Sequence, residues 1–237
     1  MTTFDIIIVG AGSAGSVLAG KLSDNPKLRV LLLEAGPSDR RLWIRLPIGY
    51  GKTFFDPAVN WKYTAEADPG LAGRTSYMPR GKVLGGSSSI NAMVYCRGMP
   101  ADYDDWRDAG NPGWGWSDVE PWFRKVERLA RGDGTAEGDG PLWVSDRAAD
   151  YHRLSRHFVA TVREAGLPGV AGFDGLSAEG VGPYLINTRS GLRCSAADAF
   201  LRPAIGRDNL EVRTGALVER ILFEGKRAVG VLVRHGG

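Results

Sequence analysis

Two apolar runs and one amphipathic stretch account for the first part of the chain. Phe4 to Val9 is a short, β-branched apolar run that ends at Gly10, a pattern typical of a strand buried in a parallel sheet. Ser13 to Leu22 has apolar residues at helical spacing, and Asn25-Pro26 ends the pattern. Leu28 to Leu33 is a second buried strand. The order strand, helix, strand predicts a βαβ unit.

The middle of the chain is less regular. Residues 37–80 contain scattered proline, glycine and aromatic residues without a sustained period, and a loop of this length usually has a function, such as covering a ligand. Ser117-Asp118-Val119-Glu120 has the spacing of a capping box and predicts the start of a helix. The apolar residues of that helix, at helical spacing, are Val119, Trp122, Phe123, Val126 and Leu129.

Turn residues and periodicity define the elements that follow. Residues 131–140, rich in glycine and aspartate, predict a surface loop. Leu154, Phe158 and Val162 mark a helix that ends at Gly166.

The last part of the chain predicts one helix and three strands. Ser195 to Leu201 is a short helix, and Asn209 to Arg213 is a strand. Ala216 to Phe223 and Ala228 to Arg234 alternate around the turn Glu224-Gly225-Lys226-Arg227, which is a hairpin signal.

Composition narrows the class of protein. The chain has 237 residues, of which 43% are hydrophobic and 24% charged, as in an ordinary soluble globular protein. The formal net charge is +3 and no basic block with interleaved aromatics occurs, which argues against a nucleic-acid partner. The apolar runs are too short for a membrane span, and no charged region precedes the first strand. With Cys96 and Cys194 read as free thiols, we expect a cytoplasmic protein; peripheral membrane association stays open.

The first glycine cluster has the spacing of a dinucleotide-binding turn. Gly10 permits the tight turn, Gly12 lets the backbone approach a pyrophosphate, and Gly15 lets the helix pack close to the strand. The helix N-terminus would supply N–H donors to the phosphates. Glu34 ends the second strand about 20 residues further on, where a carboxylate accepts ribose hydroxyls and repels the 2′-phosphate of NADP.

A second glycine cluster favours FAD over NAD. Gly85-Gly86-Ser87-Ser88-Ser89 consists of small residues whose backbone amides can approach a phosphate or the polar edge of a ring. Ile90 to Tyr95 follows at once and is mostly apolar, as expected of a buried segment rather than a linker. An NAD-dependent dehydrogenase would leave residues 81–94 unexplained.

The segment from Gly81 to Asp104 resembles the first signature of the glucose-methanol-choline (GMC) oxidoreductases. The likeness continues in Asn60-Trp61-Lys62-Tyr63, Asn111-Pro112-Gly113-Trp114, Gly180-Val181-Gly182-Pro183 and Arg193-Cys194-Ser195-Ala196-Ala197. It covers the whole chain and most resembles the bacterial alcohol and choline dehydrogenase branch.

The resemblance implies an α/β fold: a doubly wound, Rossmann-like FAD-binding domain with part of an inserted α+β substrate domain. Residues 1–105 would be the first part of the FAD-binding domain and residues 106–190 a partial substrate region. Residues 191–237 would return to the FAD-binding domain and end after the hairpin. We expect the C-terminal part of the family fold to lie outside this chain.

The resemblance also implies the cofactor contacts. The first glycine turn would hold the pyrophosphate, Glu34 the ribose, the Val218 backbone the adenine, and Asn91 to Val94 the flavin. Some relatives carry a histidine at the position of Ile90 that bonds covalently to the flavin, so FAD should be non-covalent here. The implied cofactor-binding residues are Gly10, Gly12, Ser13, Ala14, Gly15, Glu34, Ala35, Trp61, Val83, Gly85, Gly86, Ser87, Asn91, Ala92, Met93, Val94 and Val218.

As a family member, the protein would oxidise the CH–OH group of choline or another primary alcohol. Hydride would pass to flavin N5, and the electrons then to a quinone-like acceptor or oxygen. The family's catalytic histidine lies in the C-terminal part, and His152, His157 and His235 do not match it, so no catalytic residue is predicted. The alternative is a catalytically incomplete FAD-binding fragment that needs a partner chain carrying the missing histidine segment.

Other clusters have weaker interpretations. Trp106, Trp114, Trp116 and Trp122 could form an aromatic cage for a quaternary ammonium, but core packing is the favoured reading. Arg97, Arg107 and Asp102 to Asp105 are expected to form a solvated charged face. No metal-ligand spacing occurs.

Overall fold

A computed structural model describes residues 3–170, 172–173 and 179–235. The strands are β1 Ile6–Val9, β2 Val30–Leu33, β3 Tyr63–Thr64, β4 Tyr77–Met78, β5 Val94–Tyr95, β6 Glu127–Ala130, β7 Ala136–Glu137, β8 Leu142–Ser145, β9 Leu185–Ile186, β10 Thr188–Arg189, β11 Leu192–Arg193, β12 Leu210–Arg213, β13 Ala216–Glu224 and β14 Arg227–His235. The α-helices are α1 Ser13–Leu22, α2 Leu42–Arg45, α3 Tyr50–Thr53, α4 Pro100–Asp108, α5 Trp116–Val126 and α6 Arg153–Glu164.

The chain divides into two compact units. The first comprises Met1–Ala92 and Gly191–Gly237, and the second comprises Met93–Ser190. The domain boundaries expected at residues 105 and 190 stay predictions, since they concern cofactor and substrate roles rather than compactness.

A parallel three-stranded sheet in the order β1-β2-β12 forms the centre of the first unit. Val30 of β2 pairs with Ile6 on one side and Leu210 on the other. All four residues of β2 are buried, which explains why its sequence is continuously apolar. The βαβ unit and the α/β fold class are therefore confirmed.

Helix α1 packs closely on the C-terminal part of the first unit. A Cβ at Gly20 would lie 2.5 Å from the carbonyl oxygen of Phe200, so this contact requires glycine. The buried core below it includes Leu32, Leu201 and Leu210. Phe200 and Leu201 belong to a π-helical turn, Ala197–Leu201, where a regular short helix was expected. One extra residue per turn is a local feature that periodicity does not reveal.

The predicted hairpin is confirmed. β13 and β14 pair antiparallel from Ala216↔His235 to Glu224↔Arg227. Leu31 and Leu33 of the parallel sheet form an apolar cluster with Ala216, and Val218 and Val233 of the hairpin pack against it.

The second unit contains a mixed sheet in the order β5-β9-β8-β6-β7. β6 pairs parallel with β8, whereas β5 and β8 pair antiparallel with β9. Leu129, Val144 and Leu185 form its buried cluster. α4, α5 and α6 belong to this unit, so it has the expected α+β character.

Several predicted boundaries were wrong. β1 begins at Ile6 instead of Phe4, and β2 at Val30 instead of Leu28. The Arg29 guanidinium lies over the Phe4 ring, 5.3 Å from its centroid, so this ring packs under a cation instead of entering the strand. Between residues 37 and 80, which showed no period, the structure has short elements, α2, α3, β3 and β4.

Helix α5 differs from its prediction at both ends. Its N-cap is Gly115, whose N–H donates to Asp118 Oδ2 at 3.1 Å, so the box lies two residues before Ser117. Leu129 belongs to β6 instead of the helix. The expected loop at 131–140 also contains β7, which pairs antiparallel with the end of β6, Glu137 with Leu129 and Ala136 with Ala130.

Two predictions about burial in the second unit were also wrong. Trp106, Trp114 and Trp122 are 54%, 54% and 62% exposed and do not form a core. Arg97 is not on a solvated face: its side chain is 14% exposed and pairs with Glu127, which is 7% exposed.

No helix in the described part of the chain combines the length and hydropathy required to cross a bilayer.

Candidate cofactor-binding site

The first glycine cluster forms a tight turn between β1 and α1. Gly10 adopts φ +92° and its N–H donates to the Leu33 carbonyl at 2.7 Å, which ties the turn to the end of β2. A Cβ at Gly15 would lie 1.9 Å from the Gly10 carbonyl oxygen. Only glycine at position 15 therefore lets α1 start this close to the turn, as the sequence predicted.

Glu34 is buried and supports the same turn. Its Oε2 accepts the Ala11 N–H and its Oε1 accepts the Gly36 N–H, each at 2.8 Å. Burial raises the pKa of this carboxyl, while those N–H groups and the charge of Lys82 lower it. Each oxygen of a carboxylate accepts more than one hydrogen bond, so Glu34 can hold the backbone and still accept a ribose hydroxyl.

The second glycine cluster contacts the first directly. The Gly85 N–H donates to the Ala11 carbonyl at 2.7 Å. A Cβ at Gly86 would lie 2.7 Å from Gly12 Cα. Two glycine turns more than 70 positions apart in sequence therefore meet backbone to backbone, as expected if they share one ligand.

The N-terminus of α1 has the features of an anion site. Its N-cap is Gly12, no side chain caps the helix, and its first turn carries no acidic residue. The first N–H groups of a helix lack intrahelical partners and attract negative charge. A Cβ at Gly12 would meet nothing within 4 Å, and Ser13 and Ala14 are exposed. Open space above uncapped N–H groups fits the pyrophosphate of a dinucleotide.

Trp61 carries a cation on its ring. The Lys82 Nζ lies 5.0 Å from the Trp61 ring centroid, and the Tyr63 ring stacks on Trp61 at a centroid distance of 5.9 Å. Lys82 is also the positive charge that reaches Glu34. Lys82 lies within the glycine-serine signature, but no local pattern marks it as a contact of Trp61 or Glu34.

The hairpin begins next to Glu34. The Ala216 N–H donates to the Glu34 carbonyl at 2.9 Å, and the Gly215 N–H to the Gly36 carbonyl at 3.0 Å. Val218 follows in β13 and is half-buried. Ala35 lies between the two anchored residues and is also half-buried. The structure thus brings Glu34, Ala35 and the strand of Val218 together.

The residues expected near the flavin differ in exposure. Val83 is fully buried and packs with Ile44, Val59 and Ile90, so its side chain belongs to the apolar core. Ser87, Asn91 and Ala92 are exposed. The exposure of Asn91 and Ala92 corrects the expectation that Ile90 to Tyr95 is a buried segment.

Met93 and Val94 belong to the second unit. Met93 adopts φ +62°, and its carbonyl accepts the Asn187 N–H at 2.8 Å. Val94 pairs with Ile186 in β5 and is 47% exposed. Their part in cofactor binding stays a prediction.

A buried arginine lies beside Asn91. Arg193 is 2% exposed, and its guanidinium donates to the Ile44 carbonyl at 2.9 Å, the Ser88 carbonyl at 3.1 Å and Asn91 Oδ1 at 2.8 Å. Burial lowers the pKa of Arg193 to about 10. In the sequence, Arg193 is recognisable only as part of a motif that resembles the family. Neither its burial nor its hydrogen-bond acceptors could be predicted from that motif.

None of the candidate cofactor-binding residues named in the preceding paragraphs is a histidine. His152 is the N-cap of α6, where its Nδ1 accepts the Leu154 N–H at 3.3 Å, and His157 lies within the same helix. The region the structure describes contains no group of three histidine, cysteine or acidic side chains that could hold a metal ion.

Comparison with known proteins identifies the family. The family model for GMC oxidoreductases matches residues 4–237. The chain belongs to the GMC oxidoreductase family. Membership accounts for the resemblance of the segment from Gly81 to Asp104.

Individual relatives show how far the likeness extends. The chain is 40% identical to the oxygen-dependent choline dehydrogenase of Photobacterium profundum over 238 residues, which is 100% of this chain and 42% of that protein. It is 45% identical to the alcohol dehydrogenase [acceptor] of Pseudomonas putida over 233 residues, 96% of this chain and 42% of that one. The chain therefore spans about two fifths of the length of these relatives.

A solved structure has a similar fold. It is an FAD-dependent oxidoreductase from Chaetomium thermophilum, with a TM-score of 0.85 and 32% sequence identity. The match covers 98% of this chain and 42% of that structure.

Proposed function

We propose that this chain is the FAD-binding part of a GMC oxidoreductase that oxidises alcohols. The observation that carries the proposal is the backbone junction of the two glycine turns, the Gly85 N–H to Ala11 carbonyl bond of 2.7 Å, beside the open space above Gly12. We call the two glycine turns, residues 10–15 and 85–87, the cradle, together with Glu34, Ala35, Trp61, Asn91, Ala92 and Val218.

Each part of the cradle has a distinct role toward FAD. The N–H groups at the start of α1 bind the pyrophosphate, with Ser13 and Ala14 exposed beside it. Glu34 accepts ribose hydroxyls, and the β13 backbone at Val218 borders the adenine. Asn91 and Ala92, both exposed, border the flavin ring together with the Gly85–Ser87 turn. Gly86 cannot be larger, because a Cβ there would meet Gly12.

Bound flavin supplies the hydride acceptor for oxidation of a CH–OH group. Choline or another primary alcohol is the proposed substrate, in keeping with the names of the two relatives. Those names also support oxygen or another acceptor, such as a quinone, as the final oxidant. Ile90, 3% exposed and packed among apolar side chains, has no group that could attach covalently to the flavin, so the cofactor is held by contacts alone.

A second candidate is a cofactor-binding chain whose catalytic base comes from another chain. The observation that favours it is where two histidines lie. His152 is the N-cap of α6 and His157 lies within α6, so both belong to the second unit, whereas the cradle belongs to the first. The carboxylate of the cradle, Glu34, is assigned to the backbone of the turn and to the ribose, so no cradle residue is assigned to accept the alcohol proton.

Anaerobic visible spectroscopy separates the two candidates. The chain is loaded with FAD, freed of unbound cofactor, and mixed with choline or with simple primary alcohols. Loss of the oxidised flavin absorbance would show that this chain carries its own base and oxidises alcohols alone. Flavin that binds but stays oxidised with every alcohol would support the second candidate. A chain that binds no flavin would contradict both.

A further inference from the structure

Arg193 is an unusual residue for the position it occupies. Among the described residues it is the largest of the fully buried side chains, and no described residue is a hydrogen-bond partner of its Nη2. A buried, incompletely bonded guanidinium costs free energy, and an apolar side chain of similar volume is often at least as stable. Stability of the fold therefore does not explain an arginine here.

Two of the hydrogen bonds that Arg193 makes converge on one short stretch, Ser88–Asn91. Its Nη1 donates both to the Ser88 carbonyl at 3.1 Å and to Asn91 Oδ1 at 2.8 Å. Its Nε anchors the guanidinium to the Ile44 carbonyl at 2.9 Å. A further bond, from the Ala196 N–H to Ser88 Oγ at 2.9 Å, ties the same stretch to the segment after β11.

The charge on Arg193 is not neutralised by a direct ion pair among the described residues. Asp198, the carboxylate whose field reaches Arg193, instead pairs with Arg45 and with Arg202, the latter at 3.1 Å. A positive charge in a medium of low dielectric acts strongly on any charge that appears nearby.

We propose that Arg193 is a positioning residue for the flavin, which fixes the Ser88–Asn91 stretch and places a buried positive charge beside it. The inference rests on the proposed binding of FAD in the cradle. Fixing this stretch in advance lowers the cost of binding. The positive charge stabilises the negative charge that the flavin ring gains on reduction, and so makes the flavin easier to reduce.

The test compares Arg193→Met and Arg193→Lys with the parent chain. Three quantities are measured: the FAD Kd by quenching of flavin fluorescence, the midpoint potential of the bound flavin, and the thermal unfolding temperature. Arg207→Met is the matched control, because Arg207 also anchors two oxygens, the Gly20 carbonyl at 2.8 Å and Ser23 Oγ at 2.7 Å, but away from the cradle.

We expect Arg193→Met to bind FAD about tenfold more weakly or worse, since it loses hydrogen bonds from a charged donor. Its bound flavin should have a more negative potential than the parent. Arg193→Lys keeps the positive charge but loses the guanidinium group that reaches several acceptors at once. Its FAD Kd should therefore rise, while the potential of its bound flavin stays close to that of the parent. Arg207→Met should lower the unfolding temperature and leave both flavin quantities unchanged.

A parental Kd and potential in Arg193→Met would overturn the inference. The inference would also fail if the flavin potential in Arg193→Lys were as negative as in Arg193→Met. If Arg193→Met does not fold, a parental Kd in Arg193→Lys would overturn the inference instead. A parent chain that binds no FAD would refute the proposed function itself, and the inference with it.

Discussion

At the level of single residues, the cradle depends on glycines, which have no Cβ. Gly15 and Gly86 allow backbone contacts that a Cβ would block at 1.9 Å and 2.7 Å, respectively. Gly12 is different, because a Cβ there meets nothing in the protein. The first two glycines serve the fold, and the third leaves room for a ligand.

Ile90 carries a prediction about the attachment of the flavin. Its apolar side chain is packed among Ile44, Val59 and Val83 and offers no nucleophilic atom. Precipitating the FAD-loaded chain with acid should therefore release all of the flavin into the supernatant, as measured by absorbance. Yellow colour that remains on the washed pellet would mean that another residue is bonded to the cofactor.

The residue types of the cradle could be predicted from sequence, but their partners could not. Gly10, Gly12, Gly15 and Glu34 are recognisable because their spacing follows from one local turn. The bond from Gly85 to Ala11 and the burial of Arg193 depend on contacts between distant segments, which no local pattern encodes.

At the scale of elements, a charged cluster joins the π-helical turn to α2. Asp198 Oδ2 accepts the Ser195 N–H at 3.1 Å and the Ser195 hydroxyl at 3.0 Å. Its Oδ1 pairs with Arg45 of α2 and with Arg202. Burial alone would raise the pKa of Asp198, but the Ser195 N–H and the two arginines together hold it below its usual value.

This cluster predicts a pH-dependent contribution to stability. Because the folded-state pKa of Asp198 is lowered, its stabilisation is complete above the pKa of an unfolded aspartate, about 3.9, and is lost as the pH falls through the folded value. Asp198→Asn should lower the free energy of unfolding at pH 7 by about 1–3 kcal/mol. The difference from the parent should shrink below about pH 4.

Urea unfolding of parent and variant between pH 3 and 7 checks this expectation. Asp24→Asn is the control: Asp24 also pairs with an arginine, Arg207, but its side chain is 54% exposed, so its effect should be small at every pH. An Asp198→Asn difference that is constant down to pH 3 would show that the ionised carboxylate contributes nothing.

Elements with a strong local pattern were predicted best. α1 and the hairpin of β13 and β14 follow their sequence periods closely. β6 and the π-helical turn were missed because their state depends on tertiary partners: β6 extends from the end of α5 by pairing with β8. The clustering of four tryptophans in and around α4 and α5 suggested a core, yet Trp106, Trp114 and Trp122 are exposed.

At the scale of the whole chain, the two units have separate architectures. The first has a parallel sheet, an uncapped helix N-terminus and the cradle; the second has a mixed sheet. Family membership and α/β class were both predictable from sequence, because the glycine-serine signature is long and specific. Substrate and electron acceptor were not, since the chain spans 42% of the choline dehydrogenase relative.

An FAD titration of the parent chain, Gly12→Val and Gly51→Val, followed by flavin fluorescence, tests whether the N-terminus of α1 holds the cofactor. A Cβ at either glycine meets nothing within 4 Å, and neither has a positive φ, so both variants should keep the fold and the parental unfolding temperature. Only Gly12 lies at the start of α1. We predict that the parent and Gly51→Val bind FAD alike and that Gly12→Val does not bind it. Parental affinity in Gly12→Val, or no binding by the parent, would contradict the account.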